Sequence, residues 1–248
     1  EFNWQTREVR ASDLARELFG LELHGAPVAW AQPFLKDIAV TGGPVRGQLV
    51  ANARSGGVTL RSTAPLRIEG VRVVRAGETL VERVDVALNA SADYTPHGWQ
   101  AEIAALDVQS GAAKVLTLAA KAGQLAGRDQ AVKATGTLTV DLPALLAQPV
   151  AAGVLTLTGG EAVVEFVGSL QTTSEIHAKV SLANLATNVD SKPHLLPVVA
   201  FEVRADVGSD GKIAFNAPIT FERGGRKSDL TVIGSVGPEK DKVRVIDA

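Results

Sequence analysis

The sequence predicts a mainly β protein: one long, curled antiparallel sheet, forming either a β-groove or a closed sandwich, with short N-terminal and mid-chain helices. Three observations predict it. From Val45 almost to the end, apolar and polar residues alternate with a period of two, which puts one kind of side chain on each face of a sheet. Gly, Asn, Asp or Pro separates most of the alternating runs, as in a meander of hairpins. Aromatic residues make up only 4% of the 248, while Ala, Val, Leu and Gly are abundant, which suits a long thin sheet better than a bulky aromatic core.

The N-terminal part reads as the most helical. Ser12 can cap DLARELF, in which Leu14, Leu18 and Phe19 form an apolar face and Gly20 supplies a stop. Residues 27–35 suit a second short helix, interrupted by Pro33. Gly42-Gly43 then opens the alternating regime. The spacing predicts strands over 45–53, 58–62, 66–74, 80–92, 98–108 and 114–120 in the first half. In the second half it predicts 130–140, 154–158, 162–170, 175–182, 198–207, 212–216, 219–222, 228–236 and 242–246. Asp210-Gly211 and Gly224-Gly225 accept the positive φ angles of tight hairpin turns.

The chain's centre joins the two halves. Thr135, Thr137 and Thr139 alternate with Gly136, Leu138 and Val140, and a short helix follows over 142–147. Asp141 can cap it, Pro143 fits its first turn, and Leu142, Leu145 and Leu146 share one face. Pro149 and Gly153 stop it, and the next two strands hinge at Gly159-Gly160. SDLARELFG near the start matches VDLPALLAQ at 140–148 in pattern, each followed by a Gly-Gly pair and alternating strands. The chain therefore reads as a single elongated domain, 1–248, with two related helix-then-meander units at 11–138 and 139–248.

Thirteen to fifteen strands at roughly 4.8 Å spacing would make an open sheet of about 60 to 70 Å. A sheet that long curls, splits or closes. Its two faces differ: Val84, Val86, Leu88 and Ala90 oppose Asp85, Ala87 and Asn89, and Ile176, Ala178, Val180 and Leu182 oppose His177, Lys179 and Ser181. Leu230 and Val232 likewise oppose Asp229 and Thr231.

Composition narrows the chemistry. With 25 basic and 27 acidic residues the chain lacks the basic footprint of a nucleic-acid binder, so no nucleic-acid partner is expected. Absence of cysteine removes disulfides, thiol catalysis and thiolate metal sites. No run reaches the roughly 18 apolar residues of a membrane-spanning helix. The absence of methionine and the opening Glu1-Phe2 suggest an excised fragment whose targeting or anchoring segment is missing.

No motif identifies a catalytic or metal site. The four histidines, His24, His97, His177 and His194, lie far apart with no helical pair for zinc, and His97 belongs to a turn. Asp206, Ser209 and Asp210 outline a calcium loop, but Gly208 stands where an oxygen ligand belongs, so a hairpin explains them better. Glu161 and Glu165 share a strand face, a spacing that any acidic strand produces, and GGPVRG at 42–47 leads into a strand, unlike a phosphate cradle. Glu222-Arg223 and Arg226-Lys227 flank Gly224-Gly225, with Lys240 and Lys242 beyond. These basic groups suit anionic headgroups or, more simply, a solvated turn that blunts a sheet edge. Trp4, Trp30, Tyr94 and Trp99 form no stacking cluster. We expect a non-enzymatic protein without cofactor or metal.

The amphipathic strands, the Leu-rich helix DLPALLAQP and phrases such as PLRIEGVRVVRAGETLVERVDVALNA resemble the AsmA-like proteins of Gram-negative envelopes, which have TamB-like relatives. The resemblance spans residues 35–236 and rests on texture, so it transfers no functional residue. It implies a curled sheet with a hydrophobic inner groove. It also implies a periplasmic position, anchored to the inner membrane by an N-terminal helix that this sequence lacks, and a part in phospholipid transport or outer-membrane homeostasis.

On that reading the apolar face handles phospholipid or another acyl-chain lipid. The residues expected to face it are Val86, Leu88, Trp99, Ile103, Leu138, Val140, Ile176, Val180, Phe201, Val203, Leu230 and Val232. A closed, dry core using the same face is the alternative packing. The alternative function is an envelope interaction module that binds a protein or glycan partner through loops or a sheet edge.

Overall fold

A computed structural model describes residues 2–3, 8–9, 17–35, 37–54, 56–125, 131–153, 155–170, 174–189, 192–207, 213–236 and 246–247. The strands are β1 (Phe2–Asn3), β2 (Glu8–Val9), β3 (Glu17–Ala26), β4 (Ile38–Thr41), β5 (Val45–Arg54) and β6 (Gly57–Arg75). There follow β7 (Glu78–Thr95), β8 (Gly98–Ser110), β9 (Ala113–Leu125), β10 (Val132–Asp141), β11 (Gly159–Leu170) and β12 (Ser174–Val189). The last are β13 (Lys192–Leu195), β14 (Val198–Val207), β15 (Ile213–Arg223), β16 (Arg226–Val236) and β17 (Ile246–Asp247). One α-helix, α1 (Leu142–Leu146), and two 3₁₀ turns, Val28–Phe34 and Pro149–Ala151, complete the described elements.

Apart from the small β1–β2 pair, these strands form one 15-stranded antiparallel sheet that does not close on itself. Long strands pair with their neighbours in sequence. Two apparent extra strands are interruptions of longer ones. The sum of paired residue numbers is the same for β13 and β14 against β12, and Leu196 N–H still donates to Leu185 O, so one strand is broken where Pro197 offers no N–H. The β4 and β5 pairings with β6 likewise share a register at Ile38↔Arg75 and Arg46↔Arg67, broken at Gly42-Gly43-Pro44.

Several sequence expectations need correction. The helix expected over 12–20 is strand from Glu17 on, because Phe19, Leu21 and Leu23 pair with Ala51, Leu49 and Gly47 along β5. Residues 12–16 lie outside the described residues. The expected second helix is present as the 3₁₀ turn Val28–Phe34, with Pro33 inside it. The runs 58–62 and 66–74 are one strand, β6, whose ladder to β7 shifts register between Arg61 and Leu66, around Pro65. Likewise 213–216 and 219–222 join in β15; Pro218 keeps its pairing with Thr231 but has none with β14. Residues 155–158 form no strand; the β11 ladder ends at Gly159↔Ala186, with Thr158 N–H donating to Ala186 O at 2.8 Å. Of 242–246 only Ile246 is described, and the expected Asp210-Gly211 turn, with Ser209, lies outside the described residues.

Other local expectations are met. Asp141 accepts from Ala144 N–H at 2.8 Å, capping α1 with Pro143 in its first turn. Gly224 and Gly225 have φ of 57° and 77°, as a primed hairpin turn requires.

α1 and Pro149–Ala151 fold back on the sheet, α1 on β9, β10 and β11 and the 3₁₀ turn on β7. Gly160 permits the approach. A Cβ there would lie 2.8 Å from Leu185 Cδ2 and 3.3 Å from Leu142 Cδ1, and its φ is 144°. Val84, Val115, Val140, Ala162 and Leu185, on these neighbouring strand ends, are all buried. Gln148 is buried with them at 5% exposure, accepting from Glu82 N–H at 3.0 Å and donating to Ser110 Oγ at 3.4 Å.

Polar side chains cross-link strands elsewhere. Lys121 pairs with Glu102 at 3.2 Å and Arg54 with Asp93 at 3.1 Å. Lys114 Nζ (3.0 Å) and Thr117 Oγ1 (2.9 Å) both donate to Asp107 Oδ1, and these bonds hold the Asp107 carboxyl below the usual carboxylate range. Its folded pKa is lower than its unfolded one. Its stabilisation is therefore present above about pH 4 and fades as pH falls through the folded value. Asp107→Asn should lower the urea midpoint at pH 7, with the gap to the parent narrowing in acid; a pH-independent gap would contradict the assignment.

Candidate functional site: an apolar sheet face

Directly paired residues of a sheet point to the same side, so the register shows which side chains share a face. One row runs Leu66, Leu88, Leu106, Leu118, Leu138, Val164, Val180, Phe201, Ile219, Leu230, each paired with the next, across ten strands. Two residues away towards α1 lies a row containing Val86, Val108, Leu116, Val140, Ala162 and Leu182. On the other side Ala90, Ile103, Ala120, Gly136, Phe166, Ala178 and Val203 form a third. A fourth runs from Phe19 through Ala51, Leu60, Ala92, Ala101, Ala122, Ala134, Gly168, Ile176, Ala205 and Phe215 to Gly234. None of these residues is charged.

All twelve residues expected from the sequence fall on this one face. Leu88, Leu138, Val180, Phe201 and Leu230 lie in the first row, Val86 and Val140 in the second, Ile103 and Val203 in the third, and Ile176 in the fourth. Val232 pairs with Ala217 beside the third row, and Trp99 lies beyond the fourth, between Tyr94 and Gln124, donating its Nε1–H to Gln124 Oε1 at 3.3 Å. They differ in access. Val140 is buried at the α1 end, whereas Leu230 keeps 53% and Ile176 40% of its surface in solvent; most of the others are half-buried.

The face is hollowed where its side chains are smallest. Ala90, Ala92, Ala101, Ala120, Ala122 and Ala134 floor a concavity of about 390 Å³ that Leu49, Leu60, Leu66 and Ile103 also line, with Ser91, Glu102 and Lys121 contributing to its wall. Sequence reading missed this trough, although its signal, alanine at alternate positions of successive strands, is present. The opposite face is polar: one row reads Arg61, Ser91, Glu102, Lys121, Thr135, Val167, His177, Arg204. Glu161 and Glu165 share that polar face, Glu165 opposite Lys179.

A solvent-accessible face of uncharged rows with a shallow trough can hold apolar chains. No family model, curated protein or solved structure matches the chain. Among the described residues, no three His, Asp or Glu side chains gather in a way that could hold a metal ion, and no helix is long and apolar enough to cross a membrane.

Proposed function

We propose that this chain handles acyl-chain lipid, phospholipid above all, along the apolar face of its sheet, without catalysing a reaction. The observation that carries this reading is the continuity of the face. Four uncharged rows, running over six to twelve strands each, cover about 40 Å by 20 Å, on the order of 800 Å². A soluble monomer's largest apolar patch is typically about 300–600 Å², and larger ones mark interaction sites. A hydrocarbon chain needs no directional partner, and each methylene it buries contributes about 0.8 kcal/mol. The alanine trough suits a thin chain better than a protein side-chain surface, since its floor lacks pockets for individual anchors. The sheet curls into a groove around such a ligand in this reading, and the envelope position implied by the AsmA-like resemblance, with an inner-membrane anchor, would supply it.

The test is native mass spectrometry with lipid extraction on protein purified without detergent from a Gram-negative host. Phospholipid retained at reproducible stoichiometry is the expected result. A clean apo mass, together with no uptake of a fluorescent acyl lipid, would sink the proposal.

A further inference from the structure

We infer that Phe166 ends the alanine trough and thereby sets the length of acyl chain that the trough prefers; this rests on the lipid reading above. The trough runs across the strands. From β7 to β10 its floor is made by the alanines of the third and fourth rows. Larger side chains stand on both sides of that course, Leu88, Leu118 and Leu138 in the first row and Tyr94, Trp99 and Gln124 beyond the fourth. A flexible chain laid there is guided from strand to strand. Between Leu49 on β5 and Ala134 on β10 it crosses five strand spacings, about 24 Å.

Both ends of this course are bounded. Leu49, Leu60 and Leu66 line one end. At the other the lining stops on β9 and β10, at Ala120, Ala122 and Ala134, although Gly136 continues the third row directly from Ala120. A bare glycine would extend the floor. Instead Phe166, its partner on β11, folds its ring over it. A Cβ on Gly136 would lie 2.5 Å from Phe166 Cζ and 2.8 Å from Cε1, so the ring occupies the space that a side chain at 136 would fill. In the fourth row Gly168 follows Ala134, and Ile176 stands behind it with Cγ1 3.8 Å from a Gly168 Cβ. Removing the Phe166 ring would open the trough onto Gly136 and lengthen it by one strand spacing, roughly 4.8 Å.

A bounded trough selects by length. Each methylene laid in it leaves water and raises affinity about fourfold, whereas methylenes beyond the stop stay hydrated and add little. Affinity therefore climbs with chain length and then levels off. The position of that break reports where the trough ends.

The experiment is competition of saturated fatty acids, from about ten to about twenty carbons, against a fluorescent fatty acid on the full chain. Phe166→Ala should move the break at least two methylenes longer and raise the affinity ratio of longest to shortest acid at least tenfold. Ala134→Leu fills the floor just before the stop, so its break should come earlier and the same ratio should fall at least tenfold. Val167→Ala, beside Phe166 but on the polar face, should keep the parent's length profile. Circular dichroism checks that each variant is folded, and Ala134→Leu probes the same trough without deleting a ring. A parent whose affinity climbs steadily to the longest acid would overturn the inference, as would trough variants that keep the parent's break; either result leaves the lipid reading standing. Failure of every acid to bind the parent would sink the lipid reading itself, and this inference with it.

Discussion

Replacing Ile103 with aspartate should leave the fold intact and cost at least tenfold in affinity for a single-chain fluorescent fatty acid, read by titration. Ile103 sits between Ala90 and Ala120 in the third apolar row and lines the trough. It is half-buried, so in the free protein an aspartate there keeps much of its hydration. A hydrocarbon chain laid over it would remove that hydration. A tenfold loss needs only about 1.4 kcal/mol, far less than the cost of burying an unpaired carboxylate. The control lies on the polar face. Glu165 stands opposite Lys179 and does not line the trough, so Glu165→Gln should leave affinity unchanged. Equal losses from both variants would mean that lipid, if bound, does not use this face.

That face was legible in the sequence because alternation survives whatever a sheet does at its ends. Leu138 and Val180 share a side whether or not the ladder bulges elsewhere, and the period of two encodes it locally. What alternation cannot encode is the partner. Phe19, Leu21 and Leu23 carry a period of two, but Leu14, Leu18 and Phe19 also match a helical spacing. Long-range pairing with Ala51 and Leu49 decides between them. The two long strands split in the sequence reading mislead for a different reason. Pro65 and Pro218 look like terminators, yet each loses pairing only locally, and the strand continues on its remaining bonds. The helix at Leu142–Leu146 was legible because its cap, its proline and its leucines are all local. Its role in packing was not, because Leu142 and Leu185 both close over Gly160, and Gln148 reaches Glu82, 66 residues away.

Gln148 should be the polar side chain whose loss costs most stability. Its Oε1 accepts from Glu82 N–H and its Nε2 donates to Ser110 Oγ, so one amide ties the segment after α1 to β7 and β8. Gln148→Leu conserves most of the volume but leaves the Glu82 N–H without this acceptor, beside side chains that exclude water. An unsatisfied buried donor costs about 1–3 kcal/mol, and the urea midpoint should fall accordingly with an unchanged slope. Ser110→Ala removes only the longer bond at 3.4 Å and should cost less than about 1 kcal/mol. Two equal losses, or none, would show that the Glu82 bond is not what fastens this segment. The two central substitutions should also separate cleanly. Gln148→Leu acts at the packed α1 end and should lower stability while leaving fatty-acid affinity in place. Ile103→Asp acts on the open face and should do the reverse, because the residues that hold the sheet together are distinct from those that make its apolar surface available.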